Sequence, residues 1–138
     1  MNQELNNRIT NYLGEESYID NRATDDEIKI AEEDLSVTFD SDYKEFIKLF
    51  GGCYVGISIY AFKSSDDLEG DTILDLTKQY KQQSLPGANL YYVISFDGSD
   101  NPIAINESGE VVIYNHDSAQ METLYNSFEE MIKEVLPD

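Results

Sequence analysis

Cations and cysteine are what this chain has least of. Against 28 Asp and Glu stand only 9 Lys and Arg, which leaves a formal net charge of −19 over 138 residues. A surface of that sign repels nucleic acid and anionic membranes and draws basic partners inward. Of the basic and aromatic pattern that nucleic-acid binding needs, only the aromatic half is present, as ten Tyr and six Phe. Cys53 is the single cysteine, so an intramolecular disulfide and a thiolate zinc cluster within one chain are both excluded. No apolar run approaches the roughly 20 residues of a membrane-crossing helix. The opening segment, MNQELNNRITNYLGEESYID, lacks the cationic start and apolar core of a secretory signal. The expectation is a soluble protein in a reducing, cytoplasmic setting.

Repeats, low-complexity tracts and Pro/Gly/Ser-rich linkers are missing too, so the chain reads as one domain over residues 1–138. A hydrophobic share of 41% is too rich for a disordered chain. At this length folding hides roughly two-thirds of the surface an unfolded chain exposes, enough for a core without staples.

The apolar spacing divides the chain into helices, then strands, then a last helix. Leu5, Ile9, Tyr12 and Leu13 fall at helical spacing, with Gly14 placed to end the helix. TDDE, residues 24–27, predicts a capping box, after which Ile28, Ala31 and Leu35 form a buried stripe. Asp40 or Ser41 can cap a third helix, in which Tyr43, Phe46, Ile47 and Phe50 recur on one face before Gly51 and Gly52 stop it. Residues 53–62, CYVGISIYAF, read as one strand kinked at Gly56. Residues 72–83 read as a helix with Leu76 and Tyr80 on one face, followed by a turn at Pro86 and Gly87. Then come three short strands, 90–96, 102–106 and 111–114, separated by DGSDN and ESGE turns, which describe an antiparallel meander. SFEEMIKEVL opens with a second capping box at Ser127 and Glu130, and Phe128, Met131, Ile132, Val135 and Leu136 define its apolar face.

The Asp- and Asn-rich region around residues 97–117 raises the question of calcium. An EF-hand-type loop needs a Gly at its sixth position and a Glu at its twelfth. Counting from Asp97, those positions hold Pro102 and Ser108. The stretch therefore reads as hairpin turns, and no metal or cofactor is expected. Cys53, His116 and Asp117 form an arithmetically possible nucleophile set, but Cys53 follows two glycines at a strand start, where a small buried hydrophobe is the usual role. There is no G-x-S-x-G elbow, no P-loop, no dinucleotide fingerprint and no H-E-x-x-H. Pairs of carboxylates carry no signal in a chain with 28 acids. The expectation is a protein that is not an enzyme.

Acids concentrate in two places. Residues 15–42 hold eleven against Arg22 and Lys29, and DDLEGDTILD, residues 66–75, holds five with no cation. Either run is a solvated face or a surface for a basic protein partner.

Residues 24–52, TDDEIKIAEEDLSVTFDSDYKEFIKLFGG, resemble the signature of the SUKH superfamily, many of whose bacterial members are immunity proteins of polymorphic toxin systems. The likeness rests on Thr24, Ile28, Glu32, Leu35, the turn at Phe39 and Asp40, Tyr43, Phe46, and Gly51 with Gly52. Asp40 stands where the family usually has Pro, and Phe50 where it has Asn. YYVISFDGSDN, NESGEVVIYNHD and SFEEMI extend the resemblance over most of the chain. It implies an α+β domain, a central, mostly antiparallel sheet packed by N-terminal helices and a C-terminal helix. It also implies a non-catalytic role, binding and blocking a toxin domain, often a nuclease, in the cytoplasm. From charge and expected exposure, the first candidates for partner contact are Asp66, Asp67, Glu69 and Asp71, with Asp97 and Asp100 next. An interaction adaptor in signalling or cell-wall regulation is the alternative.

Overall fold

Each described helix starts where a polar side chain accepts a backbone N–H that the helix itself leaves unpaired. The computed structural model describes residues 1–14, 21–62, 72–82 and 91–137. Asn2 caps α1, Gln3–Leu13, which ends at Gly14 with φ 85°. Thr24 and Glu27 complete the predicted capping box of α2, Asp25–Leu35, and Ile28, Ala31 and Leu35 are buried. Asp40, rather than Ser41, caps α3, Ser41–Leu49, accepting the Asp42 and Tyr43 N–H groups. Thr72 Oγ1 accepts the Asp75 N–H at the start of α4, Ile73–Gln82. Ser127 Oγ accepts the Glu130 N–H at the start of α5, Phe128–Val135. The second box is only half formed, because Glu130 Oε2 accepts the N–H of Asn126 and not that of Ser127.

The strand expected over residues 53–62 is corrected to a tight hairpin. β1, Cys53–Tyr54, and β2, Ser58–Ile59, pair with each other antiparallel. Gly56, at φ 96°, turns the chain fully back where a kink was expected. The sequence shows apolar alternation there, but a Cβ on Gly56 would stand 1.8 Å from the Val135 carbonyl oxygen, so only glycine fits where the hairpin packs against the end of α5.

The predicted meander is present and longer than expected. β3, Tyr92–Phe96, β4, Pro102–Ile105, β5, Val111–Asn115, and β6, Gln120–Tyr125, lie in the order β3-β4-β5-β6, all antiparallel. The sequence reading missed β6 because its side chains are mostly exposed on both faces, which erases the alternation. With five helices and this sheet among the described residues, the fold is α+β. The turn expected at Pro86 and Gly87, and the side chain of Tyr80, lie outside the described residues.

One sheet face, carrying Tyr92, Ile94, Ile103, Ile105, Val111 and Ile113, packs with buried residues of α1, α2, α3 and α5 in the main core. Tyr43 sits at its centre, its ring 5.5–5.8 Å from those of Phe39, Tyr92 and Phe128. Each buried ring contributes about 1.5–3 kcal/mol on leaving water. The phenols remain satisfied: Tyr43 Oη donates to the Tyr60 carbonyl at 2.6 Å, and Tyr92 Oη accepts the Asp40 N–H at 2.8 Å. The opposite face, Val93, Ala104, Val112 and Tyr114, forms a second cluster with Leu76 of α4.

Candidate partner-binding face

The turns at the ends of the sheet strands are built by side chains that take backbone hydrogen bonds. Asp97 Oδ1 accepts the N–H groups of Ser99 and Asn101, both at 2.9 Å, and Oδ2 accepts Asn101 Nδ2 at 3.1 Å. Asn106 repeats the arrangement, its Oδ1 accepting the Ser108 and Glu110 N–H groups while its Nδ2 donates to Glu110 Oε1. Asn115 Oδ1 accepts from Asp117 and Ser118 between β5 and β6. The polar stretch that raised the question of calcium thus spends these oxygen atoms on turning the chain. Among the described residues no cluster of three His, Cys, Asp or Glu could hold a metal ion.

This chemistry separates the two hairpin acids named from sequence. Burial pushes the Asp97 carboxyl up, but the hydrogen bonds from Asn101 and Ser99, together with nearby His116, outweigh it and hold the group below its ordinary value. Asp97 is a turn former. Asp100, in the left-handed region at φ 61°, is exposed. Beside it lies a small cavity of about 70 Å³ with a floor of Leu76, Val93 and Pro102 and a rim that includes Asp100 and His116. The rings of His116 and Tyr114 pack edge to face, their centroids 5.3 Å apart. Sequence reasoning missed this cavity, because α4 and two separate turns meet there and no local pattern joins them. The turns themselves were marked in the sequence by DGSDN and ESGE, but nothing in either stretch marked the cavity.

Asp66, Asp67, Glu69 and Asp71 lie outside the described residues. The chain on either side of them is closed up, since the Ile73 N–H donates to the Ala61 carbonyl at 2.9 Å. Their segment leads directly into α4, whose Leu76 and Gln79 line the cavity. α4 is held to α2 by Lys78 Nζ on Asp34 Oδ2 at 2.8 Å and by Lys81 Nζ donating to the Leu35 carbonyl at 2.7 Å. On α2 itself Asp25, Asp26, Glu33 and Asp34 are exposed.

Cys53 is 2% exposed, and burial pushes its thiol up to about 12. It stays protonated across the physiological range and packs as a core residue, while His116 is exposed at the β5–β6 turn. Among the described residues no helix is long and apolar enough to cross a membrane.

Comparison with known proteins agrees with this architecture. A family model, SUKH_5, described as SMI1-KNR4 cell-wall, matches residues 3–137. No curated protein sequence matches the chain. The matched family supports an immunity-type or SMI1/KNR4-like regulatory protein, a group that is generally non-catalytic. Since the match runs over nearly the whole chain and the α+β fold agrees with it, the protein belongs to the SUKH superfamily, in its SMI1-KNR4 cell-wall family SUKH_5.

Proposed function

We propose that this protein is an immunity-type inhibitor that binds and blocks a cognate toxin domain, basic and nuclease-like, in the cytoplasm of the cell that makes the toxin. The observation that carries the reading is the acidic surplus, 28 acids against 9 cations, in a chain of this family. A nuclease is basic where it holds phosphates. An acidic inhibitor covers that surface and reaches it quickly through long-range attraction. Inhibition is by occlusion, without cofactor or catalysis. Asp66, Asp67, Glu69 and Asp71, continuing into α4, form one part of the contact, and the β3–β4 turn forms the other. There Asp100 meets a cationic side chain directly, while Asp97 shapes the turn that presents it. The apolar floor beneath Asp100 receives the stem of that side chain.

An interaction adaptor is the second reading, favoured by the cell-wall description of the matched family. Affinity capture from the native cytoplasm, with candidate toxin domains added and washes at low and high salt, separates the two. Near-stoichiometric recovery of one basic, nuclease-like protein, weakened by salt, supports immunity. Recovery of envelope-synthesis or signalling proteins alone supports the adaptor.

A further inference from the structure

The two edges of the sheet are finished differently. Alongside β3 lies β2: the Tyr60 N–H donates to the Ile94 carbonyl at 2.9 Å, and Ser95 Oγ donates to the Ser58 carbonyl. Ile94 is the extra residue of a bulge, since Val93 faces Ala104 and Ser95 faces Ile103. Beyond β6 no described strand pairs.

β6 reads QMETLY. It contains neither Lys nor Pro, two of the residues that keep an edge from recruiting another strand, and its one charged residue is Glu122. Its register with β5 is regular from the Asn115–Gln120 pair through Val112–Thr123 and then skips Leu124, so that Tyr125 faces Val111. This bulge decides three side chains. Met121, opposite Tyr114, packs in the cluster on the α4 side, whereas Tyr125 packs against the main core. Without the extra residue both would point the same way. Leu124, the residue skipped, is 41% exposed and belongs to neither cluster. The only charges on β6 and in the turn before it are acidic, Glu122 and Asp117, both exposed, in a chain of net charge −19.

We propose that the β6 edge is a strand-docking site that takes an extended, Lys- or Arg-bearing segment of a protein partner, paired along residues 120–123 and anchored on Leu124. Open N–H and C=O groups supply the attachment, and the acids choose the sign of the incoming strand. A second copy of this chain is the wrong occupant, because it would set one acidic edge against another. The proposal rests on the protein-partner reading above for its class of occupant and adds the way that partner is held.

The test uses the full chain and two synthetic peptides of equal charge. One alternates Lys and Val, and the other has prolines in place of its central valines. Amide exchange followed by NMR is expected to slow about tenfold at alternate residues of β6 with the first peptide only. Leu124→Lys is expected to weaken that peptide about fivefold. Equal effects of both peptides, or changes confined to Asp100 and the cavity beside it, overturn the proposal, since charge alone would then explain binding. The readout needs no toxin. Capture of a basic toxin domain with no strand pairing at β6 overturns the edge and leaves the immunity reading standing. Strand pairing without such capture supports the edge and counts against immunity.

Discussion

Asn101 Oδ1 accepts the backbone N–H of His116 at 3.0 Å, so a side chain from the β3–β4 turn fastens the end of β5. The same amide donates from Nδ2 to Asp97. At 7% exposure it is among the few buried polar residues, and it joins the two turns that border the cavity. Asn101→Ala leaves the His116 N–H without this acceptor and Asp97 without one donor. The expected loss is about 1–3 kcal/mol in urea unfolding. Unchanged stability would show that water replaces the side chain at no cost.

Asp97 gives the turn a pH dependence of definite sign. Its native carboxyl is held below its ordinary value, so the folded state binds this proton less tightly than the unfolded chain does. The stability it contributes is fully present above the unfolded value of roughly 3.9 and is lost as pH falls through the lower folded value. Comparing urea midpoints of the wild type and Asp97→Asn should show a wild-type advantage near neutrality that shrinks in acid. Parallel curves would remove the carboxylate charge from the account.

Gly56 is where the first hairpin meets the end of α5. Gly56→Ala combines a positive φ with a Cβ 1.8 Å from the Val135 carbonyl oxygen, so β1–β2 and α5 cannot both keep their places. A loss above about 4 kcal/mol is expected, against under about 0.5 kcal/mol for Gly98→Ala. A Cβ on Gly98 meets nothing within 4 Å. Thermal melts of the two variants decide it, and similar midpoints would refute the close approach.

Cys53 should be inert in the native protein. With its thiol pushed up to about 12 and its side chain in the core, it resists alkylation at neutral pH. One equivalent of thiol per chain should then react on denaturation. Fast labelling of the folded protein would place the thiol at the surface and reopen nucleophilic chemistry.

The acidic segment is one part of the proposed contact. Replacing Asp66, Asp67, Glu69 and Asp71 together by Ala should slow association with a basic toxin domain about tenfold or more and flatten its salt dependence. Association rates measured at two ionic strengths check this. Unchanged rates and unchanged salt dependence would take the segment out of the proposed contact.

Much of the helical content was legible because helix signals are local. Thr24 and Glu27 satisfy donors within one turn of themselves, and Tyr43, Phe46 and Ile47 share a face simply by their spacing. The signals failed where a partner lay far along the chain. Ser127 and Glu130 have capping-box spacing, yet the carboxylate bonds Asn126. Residues 53–62 alternate like one strand, yet they turn back at Gly56, where the distant Val135 carbonyl leaves no room for a Cβ.

The sequence by itself determined the charge, the capped helices, the apolar core residues and the polar turns of the meander, because each depends on composition or on neighbours a few residues apart. Only the tertiary structure decided which hairpin acid is tied into its turn and which is left exposed. Asp97 and Asp100 are the same residue type three positions apart, but Asp97 lies within reach of the Ser99 and Asn101 N–H groups while Asp100 stands exposed beside the cavity. The structure alone also set the faces of β6, since a bulge is a matter of register between two strands and leaves no mark in the order of residues along one of them.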